Sequence, residues 1–87
     1  MTLTCQMWPS EDVPGDFVSY CPELDVASQG SGVAEAKKHI REAISLHLQT
    51  AAEDGELDRV LHQCNLINQP ALPSGATSFS ETFHIGA

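Results

Sequence analysis

Polar and apolar positions alternate from Thr2 to Trp8, with Leu3, Cys5 and Met7 on one side and Thr2, Thr4 and Gln6 on the other. That period of two predicts a strand with one buried face. Pro9 to Asp16 collects proline, acid and glycine and reads as a turn. Phe17 to Cys21 is aromatic and β-branched, a second strand ended by Pro22. Asp25 to Gln29 reads as a short third strand, broken by Gly30-Ser31-Gly32. The period then changes. Val33, Ala36, Ile40, Ala43, Ile44, Leu48 and Ala51 fall on one stripe at helical spacing, and Leu46 lies off it. Asp54-Gly55 supplies a stop in which glycine takes the left-handed conformation. Glu35 follows Gly32 by capping-box spacing, with glycine where a hydroxyl residue is usual. Glu56 to Asn65 is expected to form a second, short helix with Leu57, Val60, Leu61 and Cys64 on one side, and Gln69 to Gly75 reads as a loop. From Ser78 to Ile85 the alternation returns, with Phe79, Phe83 and Ile85 apolar and Glu81 intruding on their face.

The expected fold class is α+β: three strands, a long helix, a short helix and a last strand, within a single domain spanning 1–87. A four-stranded mixed sheet with the long helix on one face is the arrangement this order suggests. A right-handed crossover through the helix is expected between the third and fourth strands. The other face of the sheet would then expose residues such as Trp8 or Phe79, so a homodimer or larger homo-oligomer is expected to cover it.

Charge narrows the partners. The chain carries 12 acidic residues against 4 Lys and Arg, a formal charge of −8. Binding to nucleic acid depends on cations that replace condensed counterions, so no direct nucleic-acid binding is expected of this chain alone. A basic protein is the natural complement. No run of apolar residues approaches bilayer length, and the N-terminus carries neither Lys nor Arg nor an apolar signal region. The three cysteines, Cys5, Cys21 and Cys64, are odd in number and widely spaced, which argues against a disulfide framework. The cytoplasm is therefore the expected location. Cys5 and Cys21 read as small buried residues in the sheet.

The sequence from Phe17 to Gly30 (Phe-Val-Ser-Tyr-Cys-Pro-Glu-Leu-Asp-Val-Ala-Ser-Gln-Gly) combines an aromatic strand, a Pro-acid-Leu element and a polar-Gly turn. Ala34-Glu35-Ala36 and Arg41-Glu42-Ala43-Ile44 place paired Glu-Ala elements on the following helix. Together with Thr77 to Gly86, these segments resemble the HicB-like module of toxin–antitoxin systems along nearly the whole chain. The resemblance implies a partial ribonuclease-H-like fold, with βββαβ order and the last strand beside the first. It also implies binding and masking of a small, basic, mRNA-cleaving toxin of the HicA type. The chain departs from the family pattern at Gly32, where Thr is usual, and at Asp25-Val26, where Pro-Gly is common. The additional C-terminal DNA-binding domain of many family members is not expected here. Tyr20, Glu23, Asp25 and Gln29 are the candidate partner-binding residues. In the plainer alternative Tyr20 packs and Gly30 merely turns the chain.

No catalytic residues, cofactor or metal site are expected. A ribonuclease-H-type site needs several carboxylates gathered on neighbouring strands and the helix to hold two metals. The first strand has none, and Glu35 and Glu42 fall on the solvent side of the helix. Four histidines, His39, His47, His62 and His84, lack the close spacing of a zinc site. Lys37, Lys38 and Arg41 are expected to balance Glu35 and Glu42 along the helix. Two functions remain open: a non-catalytic antitoxin-like module, or an orphan homo-oligomeric regulatory or scaffold protein.

Overall fold

In the computed structural model, residues 1–66 and 75–83 are described. The elements run β1 (Thr2–Pro9), β2 (Asp16–Cys21), β3 (Val26–Ser31), α1 (Val33–Glu53), α2 (Leu57–Leu66) and β4 (Thr77–Thr82). The four strands form one sheet in the order β3-β2-β1-β4, so the last strand lies beside the first.

All three pairings are antiparallel, and the expected mixed sheet is thereby corrected. β4 runs opposite in direction to β1, so the handedness rule for parallel crossovers does not apply between β3 and β4. The apolar stripe on the segment after Asp54-Gly55 is what commits it to a second helix.

Strand alternation sorts the sheet into two faces. Leu3, Cys5 and Cys21 point to the helix side, where they pack with Ile40, Ile44, Leu48, Ala51, Val60 and Phe83. Ala36 is buried on the same stripe of α1. The other face presents Thr2, Thr4, Gln6 and Trp8 of β1 beside Val18 and Tyr20 of β2, with Ser78, Ser80 and Thr82 of β4 at one side. Trp8 meets Tyr20 edge-on, with ring centroids 6.5 Å apart. Phe79, expected on the bare face, lies opposite Cys5 on the helix side and packs against the core. The Lys37 ammonium sits 5.2 Å from the centre of its ring. That face is largely hydroxyl and amide, with Gln6 3% exposed and Trp8, Val18 and Tyr20 half-buried at its centre.

Gly30 does not break β3, which continues through Ser31. A Cβ on Gly30 would stand 2.5 Å from the Ala36 backbone nitrogen and 2.6 Å from the Glu35 carbonyl carbon. Glycine is there because the first turn of α1 crosses directly over the strand. The Ser19 hydroxyl donates to the Ala36 carbonyl oxygen at 3.0 Å, a buried bond that fixes this crossing. Gly32 is the N-cap of α1, with φ of 102°, and makes no side-chain cap bond. Glu35 reaches one residue further back than the capping-box spacing implied and accepts from the Ser31 hydroxyl at 2.9 Å.

The charge pairing on α1 also differs from the expected helical ladder. Arg41 bonds Glu81 of β4 at 2.6 Å and lies 5.2 Å from the centre of the Phe83 ring. The acid that intrudes on the apolar face of β4 is therefore neutralised by the helix above it. The ends of the paired strands are tied by the Phe83 amide donating to the Met1 carbonyl at 2.7 Å. Expectations that concern His84, Ile85, most of the 69–75 loop, and the side chain of Cys64 fall outside the described residues. Among the described residues no helix is long and apolar enough to cross a membrane.

Candidate functional site: an acid-rimmed groove beside the β2–β3 turn

β2 ends at Cys21, and Pro22 to Asp25 turn the chain into β3. Asp25 takes a left-handed conformation with φ of 54°, which Asp tolerates better than most residues. The Tyr20 hydroxyl donates to Asp25 Oδ1 at 2.8 Å and holds the turn residue in place. That bond to the Asp25 carboxylate, together with burial, raises the pKa of the Tyr20 phenol above its ordinary value. The Thr4 amide donates to Glu23 Oε1 at 2.8 Å, so the acid closes the β1 ladder where β2 has run out.

A groove of about 770 Å³ opens between this turn, the C-terminal half of α1 and the start of α2. Leu24, Val26, Leu46, Ala51 and Val60 give it an apolar lining, and four carboxylates stand around it: Glu23, Asp25, Asp54 and Glu56. Arg59 is the cation among the lining residues, and it is bonded to Glu56 at 2.9 Å. Leu46 stands 64% exposed among these lining residues.

The end of α1 makes the groove more negative than its carboxylates alone. Unsatisfied carbonyls leave a helix C-terminus with a partial negative charge, which Lys or Arg in the last turn ordinarily offsets. Here the last turn carries no basic residue, and Asp54 is the C-cap. The local sequence thus has the wrong sign for the stability of its own helix. A cation arriving from outside is favoured at this position.

Of the four residues predicted from sequence, two lie in the groove. Glu23 and Asp25 line it, and Tyr20 positions Asp25 from the opposite face of the sheet. Gln29 is elsewhere: its amide donates to Asp16 Oδ2 at 3.0 Å, and its carbonyl oxygen is met by His39 Nδ1 at 2.6 Å on β3. Sequence reasoning missed Asp54 and Glu56, which it treated as a helix stop and a helix start. The available signal was an acidic helix end with no lysine or arginine after Arg41 in α1.

Glu35 and Glu42 are both exposed on α1. The bonds from the Ser31 hydroxyl and the Ser31 backbone amide hold the Glu35 carboxyl below the usual carboxylate range. Among the described residues no three His, Cys, Asp or Glu side chains gather where a metal ion would be held. No family model, curated protein or solved structure matches the chain.

Proposed function

We propose that the chain is a non-catalytic module that binds a basic protein partner in the acid-rimmed groove. The partner that the HicB-like resemblance implies is a small mRNA-cleaving toxin of the HicA type, which the module would mask. The observation that carries this reading is the groove itself: an apolar lining, four carboxylates and a helix C-terminus with no basic residue in its last turn, on one surface. A partner side chain of the Leu or Phe kind, flanked by Lys or Arg, matches that chemistry. Covering Leu46 contributes on the order of 1.5–3 kcal/mol, and the carboxylates contribute mainly to encounter rate and to rejection of acidic partners.

The strand order, with the fourth strand beside the first, agrees with the partial ribonuclease-H-like plan. The antiparallel direction of that strand is where the chain departs from the expected mixed sheet. A second reading, an orphan homo-oligomeric scaffold, is supported by the exposure of Leu46 and by the half-exposed Trp8, Val18 and Tyr20 on the sheet face away from α1.

The discriminating experiment starts from the genome. A short, basic reading frame adjacent to this one is co-expressed with the full chain, and the mixture is sized by light scattering. A stable mixed complex that dissociates as salt rises is the expected result. Homo-oligomers that form equally with and without the basic protein would overturn the first reading in favour of the second.

A further inference from the structure

The two described thiols meet in the core. The β1–β2 register runs Trp8↔Val18, Met7↔Ser19, Gln6↔Tyr20, and one step further along the same strands sets Cys5 opposite Cys21. Both are 0% exposed and belong to the central apolar cluster on the helix side of the sheet. Directly opposed residues of an antiparallel pair have Cα atoms roughly 4.5–5.5 Å apart. That separation lies inside the window of roughly 4.4–6.8 Å which a disulfide spans. The strands therefore need not move for the two sulfurs to join.

The surroundings distinguish the two sulfurs. The side chains hydrogen-bond to each other, with Cys5 the donor. The backbone amides of Leu24 and Glu23, in the turn that follows β2, also donate to the Cys21 sulfur. These donors hold the Cys21 thiol below its ordinary value although burial opposes them. Cys5, which keeps its proton for that hydrogen bond and is desolvated as well, is pushed well above the thiol range. Cys21 is thus the sulfur prepared to act as a thiolate, and Cys5 stands beside it as the resolving thiol.

We propose that Cys5 and Cys21 are a thiol pair which a hydroperoxide oxidises to an intramolecular disulfide within the folded sheet. The Cys21 thiolate attacks the peroxide oxygen, the O–O bond breaks, and a sulfenic acid forms while the leaving hydroxide takes a proton to become water. The Cys5 sulfur then attacks the sulfenic sulfur, the S–O bond breaks, and the Cys5 proton leaves with the hydroxyl as a second water. Two thiols and one hydrogen peroxide give one disulfide and two waters. Small size matters to the oxidant, because both sulfurs are enclosed and reaction proceeds through brief local opening.

The test uses the full chain carrying Cys64→Ser, so that Cys5 and Cys21 are the thiols present. The folded protein is treated with hydrogen peroxide, its fold is followed by circular dichroism, and its intact mass and non-reduced peptides are measured. Expected are a product lighter by two hydrogens, a peptide linking Cys5 to Cys21, and full reversal by dithiothreitol. With Cys5→Ala added, the sulfenic acid on Cys21 has no partner and is trapped by dimedone. A link that forms only in denaturant, or stable addition of oxygen to Cys21 while Cys5 remains intact beside it, would overturn the proposal.

Discussion

Replacing Gly30 with alanine adds one methyl group where the backbone of α1 lies within 3.0 Å of the new Cβ. The new Cβ would lie 2.5 Å from Ala36 N, 2.6 Å from the Glu35 carbonyl carbon and 3.0 Å from Ala36 Cα, whereas ordinary contact begins at 3.4 Å. Every one of these neighbours is backbone, so no side chain can swing aside, and α1 must lift from β3 by roughly an ångström. Gaps of that size forfeit about a quarter to a half of each contact's attraction, and they open along the stripe that carries Ile40 and Ile44. Overpacking of this kind costs about 1–3 kcal/mol. The loss of glycine flexibility in the unfolded chain offsets about 0.4–1 kcal/mol of it. The expected net destabilisation is about 1.3 kcal/mol, read as a lowered urea midpoint with an unchanged slope. Gly15→Ala is the internal comparison: its φ of +88° strains alanine, yet nothing lies within 4 Å of the new Cβ. The ordering expected is Gly30→Ala well below Gly15→Ala in stability. A Gly30→Ala protein within about 0.5 kcal/mol of the parent, an effect the size of an ordinary surface change, would refute the close crossing of α1 over β3.

Other outcomes follow from single contacts. The chain has one tyrosine, so tyrosinate absorbance reports Tyr20 alone. Its apparent pKa should lie above 10.0 and fall back when Asp25→Ala removes the acceptor. The stability this phenol contributes is present below that ordinary value and is lost as pH rises through the raised one. For Glu35 the sign is opposite: its contribution is present above the ordinary 4.5 and is lost as pH falls through the depressed value. Comparing Glu35→Gln with the parent by urea unfolding across that range should show the difference vanish in acid. Arg41→Ala leaves Glu81, whose side chain is 19% exposed, without its cation; a loss of about 1 kcal/mol is expected, with solvent at the exposed Arg41 end limiting it. Association with a basic partner should slow steeply as the Debye length shrinks from about 10 to about 3 Å, measured by stopped flow.

Periodicity made the strands and the long helix legible, because each has one buried face and each repeats that face at its own spacing. The directions of the strands were not legible. Both helices were expected, but the direction in which β4 pairs with β1 is a long-range property that no local periodicity in α1 or α2 sets. Gly30 was read as a breaker because a glycine in a turn and a glycine beneath a crossing helix have the same sequence signature. Glu81 was recognised as misplaced, but its partner Arg41 lies 40 residues away, beyond any local pattern. For the groove, the Pro-acid-Leu turn drew attention to Glu23 and Asp25. Asp54 and Glu56 join them only because α1 is long enough to bring its C-terminus back to that turn. Leu46 carried a usable signal as the leucine off the buried stripe.

The central claim is that the acid-rimmed groove masks a basic ribonuclease, and titration of that activity tests it most directly. The proposed partner, a short basic protein from an adjacent reading frame, is incubated with labelled mRNA and increasing amounts of the parent chain. A second series uses Asp25→Asn/Asp54→Asn/Glu56→Gln, which removes three charges while keeping side-chain shape and the acceptor for Tyr20. Cleavage should stop near an equimolar ratio of parent chain, and the neutralised protein, still folded by circular dichroism, should need at least tenfold more, about 1.4 kcal/mol of lost affinity. Cleavage that persists in excess parent chain, or equal masking by both proteins, would contradict the account.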